Sequence, residues 1–102
     1  MDRLTATRVF VTVVDHGSLT KAAERLDMST AMVSRYLAEM ESWLGARLLH
    51  RTTRRISLTE AGQTALLSCR QLLDLAEDVQ HQAAEISRVP AGRVRITSSA
   101  SF

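Results

Sequence analysis

Residues 18–45 constrain the fold most, because they encode two short amphipathic helices joined by a turn of three residues. Ser18 is the predicted N-cap of the first helix. The second helix begins after Ser29, whose hydroxyl can accept hydrogen bonds from free amides, and ends at Gly45, where a left-handed residue costs little. Apolar residues recur every three or four positions on both: Leu19, Ala22, Ala23, Leu26, Val33, Leu37, Met40 and Leu44. Helices joined so tightly cross steeply, which predicts a helix-turn-helix over residues 18–44.

A third helix is needed to cover the apolar faces of this pair. Residues 2–15 carry Phe10 and Val14 at helical spacing, but the valines at 9, 11 and 13 also alternate as in a strand. We predict a helix capped by Asp2, because the segment ends at Gly17, directly before a capped helix, and a third helix completes the core.

After Gly45 the pattern changes from helical to partly alternating. Segments 46–51 and 56–58 flank a polar, basic stretch, which predicts a two-stranded hairpin, the wing. Its tip lacks Asn-Gly or Asp-Gly, so a turn longer than two residues is expected. Four arginines cluster here with no acidic residue between Glu41 and Glu60: Arg47, Arg51, Arg54 and Arg55. A solvated loop would explain this charge, but beside a helix-turn-helix the arginines can reach phosphates or a narrow minor groove.

A long helix follows, capped by Thr59 and running to about residue 88. Apolar residues with the coiled-coil spacing of four and three extend along it: Ala65, Cys69, Leu72, Ala76, Val79, Ala83 and Ile86. We predict that this seam pairs two chains, and that Leu66 and Leu73 contact the winged module. The alternatives are that the whole face packs within one chain, and that Cys69 is simply a small buried residue.

Composition limits the function classes. The 102 residues, 45% hydrophobic, can bury one modest core, and the longest apolar run is too short to cross a bilayer. The single cysteine excludes an internal disulfide framework and fits a reducing cytoplasm. The net charge of +2 conceals a split, since residues 1–58 carry +3, residues 59–88 carry −3 and residues 89–102 carry +2. The basic excess therefore lies with the helix-turn-helix, as a module facing phosphates needs.

The sequence gives no support for an enzyme. It has no paired carboxylates on one helix face, no Cys-His cluster with metal spacing and no glycine-rich phosphate loop. We therefore expect no catalytic residue, metal or cofactor in residues 1–102. The alternative to DNA binding is a winged helix that pairs proteins while the coiled coil carries the assembly. The arginine-rich wing argues against that alternative, because protein pairing would not need it.

Six motifs, taken together, resemble the N-terminal domain of LysR-type transcriptional regulators over residues 1–97. They are Ser18-Leu19-Thr20-Lys21-Ala22-Ala23-Glu24-Arg25-Leu26, Val33-Ser34-Arg35, Met40-Glu41, Leu44-Gly45-Ala46-Arg47-Leu48-Leu49, Arg51-Thr52-Thr53-Arg54-Arg55 and Leu58-Thr59-Glu60-Ala61-Gly62. The resemblance implies a mainly α fold with a winged helix-turn-helix over 1–58, a linker and dimerisation helix over 59–88, and a hinge and first strand of a truncated effector-binding domain over 89–102. It also implies a tetramer when full length, which binds interrupted palindromes and senses a small-molecule co-inducer through its missing C-terminal domain.

The resemblance further implies which residues contact double-stranded DNA. The family's recognition helix usually begins Ser-Gln, and this chain has Thr30 in place of the Gln; its hydroxyl can bond one base edge and its methyl can touch thymine. Ser34 and Arg35 match the family and should reach the major groove, unless Arg35 pairs with Glu39. Arg54 matches the arginine that enters the minor groove. The predicted set is Ser29, Thr30, Ala31, Met32, Ser34, Arg35, Arg51, Thr52, Arg54 and Arg55, with the core as the alternative place for Met32.

Overall fold

The computed structural model describes residues 2–51 and 56–88. Within these residues the chain forms four helices and one antiparallel hairpin: α1 (Arg3–His16), α2 (Leu19–Leu26), α3 (Thr30–Leu44), β1 (Leu49–Arg51), β2 (Ile56–Leu58) and α4 (Glu60–Arg88). The predicted fold class, three helices and a wing followed by a long helix, is confirmed. The predicted wing tip at residues 52–55 and the predicted hinge and strand at 89–102 lie outside the described residues.

The first three helices begin and end at the residues that the sequence marks. Each N-cap side chain accepts hydrogen bonds from amides of the first turn: Asp2 from Leu4 and Thr5, Ser18 from Lys21, and Ser29 from Met32. Gly17 and Gly45 end α1 and α3 in the left-handed conformation, with φ of 65° and 69°. Local capping chemistry therefore fixes both ends of α1 and α3 and the start of α2.

Helix α1 is the centre of the core, which resolves the ambiguity between helix and strand. Its residues Ala6, Val9, Phe10 and Val13 are fully buried, and it packs against α2, α3 and α4. Thr7 is also fully buried, and its hydroxyl donates to the carbonyl of Arg3, 2.8 Å away, so no polar group is left unpaired there. Tertiary packing on three sides outweighs the β preference of the valines.

Helix α4 is fixed to this body through its first half. Thr59 accepts a hydrogen bond from the amide of Gly62 at 2.9 Å and donates one to the carbonyl of Arg47. A Cβ on Gly62 would lie 2.1 Å from the carbonyl oxygen of Leu48, so the close approach of α4 to the wing requires glycine. Further along, the guanidinium of Arg70 pairs with the carboxylate of Asp15, with Nη2 and Oδ1 2.7 Å apart. With 29 residues, α4 is about 44 Å long.

Among the described residues, no helix combines the length and the apolar character that a membrane span requires.

Candidate nucleic-acid interface

The predicted recognition residues lie together on one surface at the start of α3. Ser29, Thr30, Ala31 and Arg35 are exposed, and Ser34 is half-buried. Met32 is 44% exposed, so the structure does not support a core position for it. The opposite face of the same helix is anchored by Val33, Leu37 and Met40, which are buried. The helix therefore presents small, hydroxyl-bearing and basic side chains outward from a rigid support.

Arg35 is available to a ligand at this surface. In residues 2–51 and 56–88 no ion pair joins it to Glu39, the partner that would have given it a structural role. A guanidinium offers five donors in a planar fork, which suits guanine edges and phosphates. Arg35 is thus the strongest donor on the described part of α3.

The wing begins later than its sequence pattern indicates. Its register pairs Leu49 with Leu58, His50 with Ser57 and Arg51 with Ile56, so β1 covers 49–51 rather than 46–51. Leu48 and Leu49 are both buried, whereas alternation would expose one of them. Thr52, Arg54 and Arg55, and the side chain of Arg51, lie outside the described residues, and their predicted DNA contacts stay predictions.

Glu41 connects the recognition helix to the wing, a role that sequence reasoning missed. Its Oε2 accepts hydrogen bonds from the amides of Leu48, at 2.8 Å, and Leu49, at 3.3 Å. The amide of Leu48, just before β1, and the amide of Leu49, its first residue, are therefore both directed to α3. A signal was present in the sequence: an acidic residue in the last turn of a helix opposes the macrodipole and is unfavourable without hydrogen-bond donors nearby.

The predicted seam on α4 divides between the core and the surface. Ala65 and Cys69 pack against the core of their own chain, with Leu66 and Leu73 beside them. Cys69 is 7% exposed, and burial raises the pKa of its thiol. This corrects the predicted seam at its first two positions and agrees with the alternative that Cys69 is a buried core residue. The prediction that Leu66 and Leu73 contact the winged module is confirmed.

The later seam positions are at the surface. Large apolar side chains on this part of α4 are exposed: Leu72 by 43%, Leu75 by 60%, Val79 by 59% and Ile86 by 74%. Ala76 is half-buried and Ala83 is exposed. The exposed stripe is rotated about 90° around the helix axis from Cys69, and it includes Leu75, which the predicted seam omitted. A helix with two apolar faces can bind its own domain with one face and a partner with the other.

Together, the crossed helices α2 and α3, the short wing and the long following helix define a winged helix-turn-helix protein. The family model described as bacterial regulatory helix-turn-helix protein, lysR family, matches residues 4–63. The chain therefore belongs to the LysR family of bacterial regulatory helix-turn-helix proteins, as its motifs predicted.

Curated relatives agree with this assignment. The chain is 42% identical over 98 residues to an HTH-type transcriptional repressor of Pseudomonas aeruginosa, covering 96% of this chain and 31% of that protein. It is 40% identical over 102 residues to the HTH-type transcriptional activator AaeR of Escherichia coli, covering 100% of this chain and 33% of that protein. The chain thus spans about a third of the length of these relatives.

Two solved structures are similar to this chain over most of its length. The DNA-binding domain of CbnR, in a complex with DNA, has a TM-score of 0.79 and 32% identity, covering 86% of this chain and 100% of that one. The DNA-binding domain of BenM, in a complex with catB site 1 DNA, has a TM-score of 0.82 and 30% identity, covering 88% and 100%. Both are similar domains solved on DNA.

Proposed function

We propose that this chain is the DNA-binding part of a transcriptional regulator, which inserts the start of α3 into the major groove of double-stranded DNA. The surface at the start of α3 carries the proposal, because Ser29, Thr30 and Arg35 are exposed there, with Ser34 half-buried beside them, over a buried apolar anchor. Side chains of these types read base edges and phosphates. The similar domains of CbnR and BenM were solved on DNA, which supports the same partner here.

In this proposal the residues that contact base edges, the readers, are distinguished from those that contact only phosphates. Thr30, Ala31 and Met32 meet base edges and thymine methyls, and Arg35 meets a guanine or a phosphate. Ser29 and Ser34 bond phosphate or a base edge. The wing places Arg54 in the minor groove, where a narrow A/T tract has a strong negative potential, and Arg51, Thr52 and Arg55 contact phosphates.

The chain binds DNA as a symmetric dimer in this proposal. The exposed stripe of α4, from Leu72 to Ile86, pairs two chains, so that two recognition helices face successive major grooves. A two-fold protein requires a palindromic site, and its half-site spacing is set by the paired helices. For the whole protein we propose a tetramer that works at the nucleoid, with a small-molecule co-inducer bound outside residues 1–102.

Site selection tests this proposal. The chain is incubated with random duplex DNA at two salt concentrations, and the bound duplexes are sequenced. We expect an inverted repeat with A/T-rich flanks whose affinity falls steeply with salt, because each neutralised phosphate releases counterions. A dimeric chain that enriches no site would contradict DNA reading and favour a winged helix that pairs proteins.

Two variants test the role of Arg35: one removes it from α3, and the control removes a lysine from α2. Arg35→Ala should relax selection at one base position and lower affinity by roughly tenfold to a hundredfold. Lys21→Ala removes a positive charge from the exposed side of α2, and it should change affinity without changing the selected sequence. Equal effects of the two variants on the selected sequence would remove Arg35 from the set of readers.

A further inference from the structure

We infer that Glu41 is a positioning residue for DNA recognition, which fixes the wing relative to the recognition helix through a single carboxylate oxygen. This inference rests on the proposed function, because it explains how α3 and the wing would engage the same duplex. Its structural basis is the pair of hydrogen bonds from the amides of Leu48 and Leu49 to Oε2 of Glu41, at 2.8 and 3.3 Å.

Glu41 is placed to orient other groups rather than to contact DNA. It lies eleven residues after Thr30 on α3, about 16 Å along the helix axis from the end that carries the readers. Its charge would repel phosphates, whereas its side chain is half-buried and directed to the base of the wing. We therefore expect Glu41 to act on DNA recognition by holding the base of the wing.

The wing depends on such an attachment. Each of its strands has three residues, and an isolated hairpin of this size is marginal in water. Its base is held from two sides, by Glu41 of α3 and by the amide of Thr59, which donates to the carbonyl of Leu48 at 3.0 Å. Thr59 directly precedes α4, so its bond connects the wing to that helix. The bonds to Glu41 connect the wing to α3, and Leu48 and Leu49 also share the hydrophobic core with Leu37 and Met40 of α3.

The position of the wing bears directly on specificity. The minor groove is about 6 Å wide, so a shift of a few ångströms at the wing base would displace an arginine from it while α3 keeps its own contacts. Loss of the Glu41 bonds should therefore weaken the preference for A/T-rich flanks. The base preference that α3 reads in the major groove of each half-site should not change. A merely stabilising residue would change neither preference in the folded protein.

The chemistry of the two bonds supplies a sharp test. Both amides donate to the same oxygen, so Glu41→Gln keeps an acceptor at that position, while Glu41→Met keeps the length of the side chain and removes the acceptor. Glu39→Met is the matched control, because it removes the same charge from the same helix at a residue that makes no hydrogen bond to the described part of the wing. Each variant is measured as the folded 102-residue chain, with its melting temperature recorded.

Two readouts are taken. In the free chain, Glu41→Met should speed amide hydrogen exchange at Leu48 and Leu49 by roughly tenfold or more, as expected when a protecting bond is lost. On DNA, it should reduce the ratio of affinities for A/T-flanked and G/C-flanked sites by about threefold or more. Glu41→Gln and Glu39→Met should match the wild type in both readouts.

Two results would overturn the inference. One is a Glu41→Met variant with an unchanged ratio of affinities for A/T-flanked and G/C-flanked sites. The other is a Glu41→Gln variant whose ratio falls as much as that of Glu41→Met. If the wild type selects no site at all, the proposed function fails. The exchange rates of the free chain then decide separately whether Glu41 holds the wing, and rates unchanged in Glu41→Met would reject that role.

Discussion

The first half of α4 packs one apolar face on the body of its own chain, whereas the large apolar side chains of the second half are exposed. In the first half, Ala65 and Cys69 pack on the core of their own chain, together with Leu66 and Leu73. In the second half, Val79 and Ile86 are 59% and 74% exposed. A heptad pattern therefore indicates an apolar face of a helix but does not identify what covers that face. What covers it depends on how far the body of the domain extends along α4.

The largest expected effect is a loss of stability caused by a substitution in the first half of α4. Cys69→Asp places a charge at a site that is 7% exposed and belongs to the hydrophobic core cluster. Burying an unpaired charge should lower the free energy of unfolding by about 3 to 5 kcal/mol, measured by urea denaturation. A decrease in the free energy of unfolding of less than about 1 kcal/mol would show that α4 does not pack against the core at Cys69.

The matched change in the second half should separate the chains without unfolding the domain. Val79→Asp puts a carboxylate in the centre of the exposed stripe, where desolvation on pairing opposes association. We expect the dimer dissociation constant to rise by about a hundredfold or more, measured by sedimentation. Helical circular dichroism at low concentration should remain that of a folded winged domain. A variant that still dimerises like the wild type would reject the exposed stripe as the pairing surface.

Gly62 tests how closely the first half must approach the wing. Gly62→Ala introduces a methyl that would lie 2.1 Å from the carbonyl oxygen of Leu48, so the helix or the strand must shift. Overpacking of this kind should cost about 1 to 3 kcal/mol of stability, despite the better helix propensity of alanine. The control is Ser68→Ala at an exposed position of the same half, for which thermal denaturation should show a much smaller change. Greater stability in Gly62→Ala would contradict the close approach.

The smallest expected effect is on pH dependence. Burial raises the pKa of the Cys69 thiol, so the neutral thiol contributes stability that is present below its unfolded pKa, about 8.5, and is lost as the pH rises through the raised value. Urea midpoints of the wild type should therefore fall more between pH 8 and pH 10 than those of Cys69→Ala. Thiol labelling of the folded chain should be slow and should become fast in denaturant. Fast labelling of the folded chain would place Cys69 at the surface.

Much of the fold is local and was predictable. Ser18, Ser29 and Thr59 cap helices as their positions predict, because an N-cap depends on only the next three residues. The valines of α1 suited a strand as well as a helix, and contact with three other helices decides its conformation. The start of β1 was predicted three residues early, since the ladder begins at Leu49. The amide of Leu48, the residue before it, donates to Glu41, a partner that alternation does not reveal.

The candidate site was predictable to a different extent in its two parts. The readers at the start of α3 follow from the position of the N-cap and from the family motif, and the structure exposes five of the six, with Ser34 half-buried. The seam was less predictable, because choosing between Cys69 and Leu75 requires knowledge of which side of α4 faces the body. Spacing alone gives two overlapping stripes, and only tertiary contact separates them.

The most direct test of the central claim is the number of chains on one duplex and the dependence of affinity on both half-sites. Sedimentation on a selected duplex, followed by a titration in which one half-site is scrambled, measures both quantities. Two paired chains predict a stoichiometry of two and a loss of affinity of about a hundredfold or more for the scrambled duplex. A single bound chain, or equal affinity for the intact and the scrambled duplex, would contradict recognition by a symmetric dimer.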